Sequence, residues 1–179
     1  MRESSGNLFS RLGFVDAICF TTNGYVTKYG RAVMGRGTAQ WVRDNVPESD
    51  AALGMLLRTR GNRTQAVTEW SGTVLVSFPV KPVDGKVGKV EDVVPHLQTH
   101  YGVGKVAPGF ALKADLGLIA RSAEQLRELT DLRGWQRVLL PRPGCANGGL
   151  SWEEVRPILV AHLDDRFEVV HLQRALPYT

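Results

Sequence analysis

Cysteine is nearly absent from this chain: Cys19 and Cys145 are its only two among 179 residues, one in an apolar run and one in a glycine-rich turn. That number excludes a disulfide framework and a thiolate metal cluster. His96 and His100 have ligand-like spacing, but no third ligand accompanies them, so both are expected on a surface loop and no metal or cofactor is expected. No apolar run approaches the roughly 18 residues that cross a bilayer, and no signal-type hydrophobic segment is found near the amino terminus. A cytoplasmic location without a membrane partner is the expectation. The P-loop signature Gly-Lys-Ser/Thr is missing too, and Gln40 stands where the dinucleotide fingerprint needs its third glycine. Ordinary triphosphate-binding and nicotinamide-dependent oxidoreductase classes are therefore disfavoured.

What is present is the composition of an ordinary globular protein, 43% apolar and 22% charged, which excludes disorder as the default. The length fits one domain over 1–179, and a monomer is expected. A net charge of +4 suits an anionic ligand or nucleic acid. The cations are scattered, however, without the interleaved aromatics of a single-strand platform.

The most informative stretch runs from Leu139 to Val155 and reads as buried strand, glycine loop and helix start. Gly144, Gly148 and Gly149 allow tight turning and positive φ, so that amide hydrogens converge on an anion. Ser151 and Glu154 have capping-box spacing, which places the positive end of a helix dipole just beyond the loop. A second loop follows the apolar run Val15 to Thr21, where Gly35 and Gly37 precede a helix predicted from Thr38 to Asp44.

Periodicity organises the remainder. Ser49 caps a helix through Leu53, Leu56 and Leu57 that stops near Gly61. Gln65 to Trp70 and Thr73 to Phe78 read as a hairpin around Ser71-Gly72. Residues 83–109 show no clear period and read as a long surface excursion, a candidate lid or substrate loop and the segment expected to be most flexible. Ala111 to Leu132 returns to helical spacing, with Leu112, Leu116, Ile119, Ala123, Leu126 and Leu129 on one face and Gly134 as terminator. Val138 to Leu140 is a short strand, Ser151 to Leu163 a helix, and Phe167 to Leu172 a last strand. This alternation implies an α/β fold, a three-layer α/β/α arrangement with a mixed central sheet, and ligands at the carboxyl ends of its strands. Trp41 and Trp152 are expected as core anchors, Asp16 as a turn residue, and Cys145 as a small loop filler; Arg36 is left between phosphate contact and solvent.

Taken together, these segments resemble the macrodomain family. Gly6-Asn7-Leu8-Phe9 resembles its adenine-recognising opening, and Ile18-Cys19-Phe20-Thr21-Thr22-Asn23 its first strand end. Met34-Gly35-Arg36-Gly37-Thr38-Ala39, with Val33 before it, is similar to its first phosphate loop, and Pro143-Gly144-Cys145-Ala146-Asn147-Gly148-Gly149-Leu150-Ser151-Trp152 to its second. Phe78-Pro79-Val80-Lys81 is similar to the Phe-Pro-Thr-Lys of antitoxin macrodomains that strip ADP-ribose from DNA, and the related terminal ADP-ribose glycohydrolases also place a lysine there. Three departures stand out. Asn7 replaces the family's adenine-binding aspartate, Gly148 replaces the aspartate of glycohydrolases acting on acidic side chains, and Gly24 to Ala32 is longer than the corresponding turn in most relatives.

The resemblance implies a protein that binds ADP-ribose through Asn7, Leu8, Thr22, Asn23 and the two loops, with ADP-ribosylated DNA or protein as partner. It implies a hydrolase that removes mono-ADP-ribose, with Lys81 and Asn23 as catalytic residues and thymidine-type DNA adducts favoured over acidic protein side chains. Asn23 would orient the distal ribose. Lysine at its ordinary pKa of about 10.4 is a poor nucleophile, so Lys81 either has a lowered pKa and attacks the ribose or stays an ammonium that assists the leaving group. A non-catalytic ADP-ribose reader and an O-acetyl-ADP-ribose deacetylase are the alternatives.

Overall fold

The computed structural model describes residues 1–172. Its main sheet has six strands in the order β1-β8-β7-β2-β4-β3, where β1 is Arg2–Gly6, β2 Ala17–Thr22, β3 Gln65–Trp70, β4 Thr73–Pro79, β7 Val138–Pro141 and β8 Phe167–Leu172. All neighbours are parallel except β3, which runs antiparallel to β4 and makes the sheet mixed. Parallel strands buried on both faces read as continuous apolar runs, and β2 shows why. Ala17 and Cys19 point into one core, with Val76, Phe78 and Leu140, while Ile18 and Phe20 point into the opposite one, with Leu75 and Leu139.

Four helices cover those faces. Helices α1 (Gly37–Asn45) and α2 (Ser49–Arg60) bring Val42, Leu53 and Leu57 to the Phe20 side. Helices α3 (Leu116–Arg133) and α4 (Trp152–His162) bring Ile119, Leu126, Val155 and Leu159 to the Cys19 side. Gly134 closes α3 with φ +67°, as a left-handed C-cap requires. Asp16 is a turn residue with structural duty: its Oδ2 accepts hydrogen bonds from the Gln136 and Arg137 amides at 2.8 Å each.

Strand β1 was not anticipated from the sequence, and two expectations, the start of α3 and the character of residues 83–109, need correction. Strand β1 has no apolar alternation, because this edge strand pairs only with β8 and its side chains are mostly exposed. Helix α3 starts at Leu116, not Ala111. Tertiary hydrogen bonds hold the preceding residues extended, from the Ala114 amide to the Gly148 carbonyl and from the Asp115 amide to the Val80 carbonyl, and Asp115 then caps the Leu118 amide at 2.6 Å. Leu112 accordingly packs away from the α3 face. It joins Val87, Val93, Ala107 and Ala111 in a small core of the excursion, which also carries the antiparallel strands β5 (Asp84–Lys86) and β6 (Val106–Pro108). Residues 83–109 are thus a folded flap.

One glycine fixes the join between α2 and the 24–32 loop. A Cβ on Gly54 would run into the Gly30 carbonyl and meet the Ala32 amide. Gly-to-Ala in a helix ordinarily stabilises by up to about 1 kcal/mol, but Gly54→Ala will destabilise by about 1–3 kcal/mol through overpacking. Urea titration of the two proteins checks the sign.

Candidate functional site

A cleft of about 730 Å³ opens at the carboxyl edge of the sheet, where the loops after β2, β4 and β7 meet. One wall is the segment Val33–Thr38. Gly37 takes φ +60°, and Arg36 gives α1 no side-chain cap, so the first amides of the helix stay open toward the cleft. Thr38 ties this wall to β2, its Oγ1 accepting from the Thr21 amide at 3.1 Å.

The segment after β7 forms the opposite wall. Gly144 and Gly149 adopt φ +76° and +75°. The Leu150 amide bonds back to the Gly144 carbonyl at 3.0 Å, and Ser151 and Glu154 close the expected capping box at the start of α4. Gly148 is the tightest point: an added Cβ would collide with the Gly144 carbonyl and stand 2.8 Å from the Ala114 Cβ. The two walls face each other, since a Cβ on Gly37 would lie 3.7 Å from Asn147 Nδ2.

Lys81 follows β4 and is 8% exposed, its Nζ donating to the Phe110 carbonyl at 3.2 Å. Burial, helped by the nearby Arg36 guanidinium, lowers its pKa to about 8. Asn23 is committed to the backbone: Nδ2 donates to the Val33 carbonyl at 2.9 Å and Oδ1 accepts from the Tyr25 amide at 3.0 Å. One amide hydrogen and one lone pair remain for a ligand. The Thr22 Oγ1 is buried without a hydrogen-bond partner among the described residues.

Of the expected site residues, the cleft brings together Thr22, Asn23, Val33, Met34, Gly35, Arg36, Gly37, Thr38, Lys81, Gly144, Cys145, Ala146, Asn147, Gly148 and Leu150. Four others stand outside its walls. Asn7 uses its side chain to cap the Phe9 amide at 3.0 Å, and Leu8 is fully buried in the core. The Pro143 carbonyl accepts from the Cys145 thiol, and Gly149 backs onto the aliphatic chain of Lys113.

Other lining residues were not expected in the site. His96, Leu97 and Phe110 arrive from the flap region, while Trp152 lies beneath the Arg142 guanidinium, 4.7 Å from its ring centroid. His96 is therefore a cleft residue, and Trp152 is a wall as much as an anchor. Burial, then the charges of Arg36 and Lys81, lower the His96 pKa. Desolvation pushes the Cys145 thiol up to about 11, which leaves it protonated and poorly nucleophilic at neutral pH. Arg36, Lys81, His96, Arg142 and His171 line the cleft with no carboxylate among the described lining residues. The arrangement suits an anion held by backbone amides, with an amine at one side.

No family model matches the chain, and no curated protein matches it in sequence. Its fold does match solved macrodomains. The macrodomain of Mycobacterium tuberculosis DarG superposes with a TM-score of 0.67 at 19% identity, over 97% of each chain. That of Thermus aquaticus DarG gives 0.64 at 19% identity, again over 97% of each. Thermosipho africanus DarTG in complex with ADP-ribose gives 0.61 at 17% identity, over 96% of this chain and 42% of that one. The class this defines is a macrodomain-like α/β fold.

A buried amine without a counter-charge costs folding stability while it is protonated. Because the Lys81 pKa is lowered in the folded state, the unfolded chain binds more protons between about pH 8 and 10.5. Stability contributed by this group therefore rises with pH across that window. Lys81→Met will raise the melting temperature at pH 7, and the gain will shrink as pH approaches 10.5. Calorimetric melts of both proteins over that range check this.

Proposed function

We propose that this chain binds ADP-ribose in the cleft and hydrolyses the bond joining it to a macromolecule, with thymidine-type DNA adducts favoured over acidic protein side chains. The observation that carries this is the Lys81 amine, buried with a pKa of about 8 in a cleft between two amide-lined walls that lacks any described carboxylate. The fold shared with macrodomains, one of them solved with ADP-ribose, supports the choice of ligand.

In this scheme the pyrophosphate lies between the α1 amides with Gly35–Thr38 on one side and Gly144–Leu150 on the other, which needs no metal. The reactive ribose points toward Asn23 and Lys81. At pH 7 about one Lys81 in ten is neutral, given a pKa near 8. The neutral amine attacks the anomeric carbon as the glycosidic bond breaks, and the departing base takes up a proton; water then releases ADP-ribose and restores the amine. The hydrogen bond from Nζ to the Phe110 carbonyl keeps the nitrogen in place. An aspartate at position 148, which glycohydrolases for acidic side chains carry, is incompatible with the backbone contact between Gly148 and the Gly144 carbonyl. This favours a nucleobase link over an ester.

Incubation with ADP-ribosylated single-stranded DNA and with glutamate-linked ADP-ribosylated protein tests the proposal. Label is expected to leave the DNA, at a rate that rises through about pH 8. Lys81→Ala will slow release at least about 100-fold with little change in affinity for free ADP-ribose. Retention of label on both substrates, or full activity in Lys81→Ala, contradicts it; the former with tight ADP-ribose binding describes a reader.

A further inference from the structure

Two carboxylate-poor segments that carry cations meet beside the cleft. Between Asp16 and Asp44 there is no carboxylate, and none between Asp50 and Glu69. These two segments pack together. The 24–32 loop leaves the cleft at Asn23 and returns at Val33. Arg58 of α2 lies against it, with Nη2 at 2.8 Å from where a Gly30 Cβ would stand. Asn62, just past α2, donates to the Lys81 carbonyl at 3.0 Å, and the Gly24 amide bonds the Pro82 carbonyl at 3.1 Å. The end of α2 and the loop thus form one rim continuous with the Lys81 side of the cleft.

Local carboxylates neutralise only part of this charge. Arg31 pairs with Glu48 and Asp50, and Arg43 with Asp44. Lys28, Arg58, Arg60 and Arg63 are exposed and make no ion pair among the described residues. Tyr29 stands 79% exposed on the same loop, with the Lys28 amine 4.9 Å from its ring centroid. An exposed aromatic ring with the Lys28 amine over it, on a loop that a second unpaired cation, Arg58, lies against, fits a single nucleic-acid strand, whose phosphates meet the cations while a base stacks on the ring.

We propose that the rim made by Lys28, Tyr29 and Arg58 binds a single-stranded nucleic acid and leads its modified nucleotide into the cleft at Lys81. This rests on the function proposed above for the nucleotide's destination, while strand binding itself is separable from it. Phosphate contacts of this kind supply affinity and register without base sequence preference.

The test is anisotropy titration of a fluorescein-labelled, unmodified oligothymidylate across a range of salt concentrations, with ADP-ribose calorimetry run in parallel. Lys28→Gln/Arg58→Gln will reduce the slope of log K against log salt by about 1.4, from roughly 0.7 per lost phosphate contact on a single strand. Tyr29→Ser will weaken the strand about tenfold. Arg121→Gln/Arg133→Gln, on the exposed side of α3, will leave strand binding unchanged, and all variants will keep their affinity for free ADP-ribose. An unchanged slope in the Lys28/Arg58 variant, an equal loss in the α3 variant, or equal competition by polyglutamate at matched charge overturns the rim. Failure of the wild type to bind ADP-ribose, with strand binding still mapped to these residues, overturns the functional proposal and leaves the rim standing.

Discussion

Where the backbone at Gly148 passes the Gly144 carbonyl there is no room for a side chain, and the geometry of the cleft follows from that contact. The close approach folds the segment after β7 back on itself, with the Leu150 amide on the Gly144 carbonyl and the Gly148 carbonyl receiving the Ala114 amide. The second bond stitches the wall to the residues just before α3 and so to the flap. It also brings Asn147 opposite Gly37, which sets the width between the walls. A carboxylate at this point would need a different backbone. The same constraint that shapes the cleft therefore helps keep it free of negative charge.

Lys81 depends on that arrangement. Its amine is buried beside Arg36 with a carbonyl for a partner and no carboxylate among the described residues, so both its environment and its neighbour disfavour protonation. Arg31, Arg156 and Arg166 each find an acidic partner, Arg166 two of them in Asp131 and Asp164. A buried cation left without one is a departure from structural economy, and such departures concentrate at functional sites. Stability given up at Lys81 is consistent with chemistry done there.

Much of the scaffold was legible because its signals are local. The apolar run of β2 is continuous since both faces of that strand are buried, and the capping box at Ser151 and the C-cap at Gly134 are short-range patterns. The two glycine walls were visible for the same reason. Strand β1 was not, because an edge strand paired on one side needs no apolar alternation. The start of α3 was misplaced because bonds to Val80 and Gly148, distant in sequence, override the helical spacing of 111–115. His96 reaches the cleft only because the flap folds around its own small core, and no spacing rule in the sequence announces that. Lys28 and Arg58 gave no joint signal for the same reason: they lie in separate segments and share a rim only when the 24–32 loop packs on α2.

Calorimetric titration of the protein with free ADP-ribose tests the central claim, that two amide-lined walls and a carboxylate-free cleft hold a diphosphate, most directly. A single saturable exothermic transition at one nucleotide per chain, without added metal, is the predicted result. The absence of any heat at millimolar ligand would contradict it.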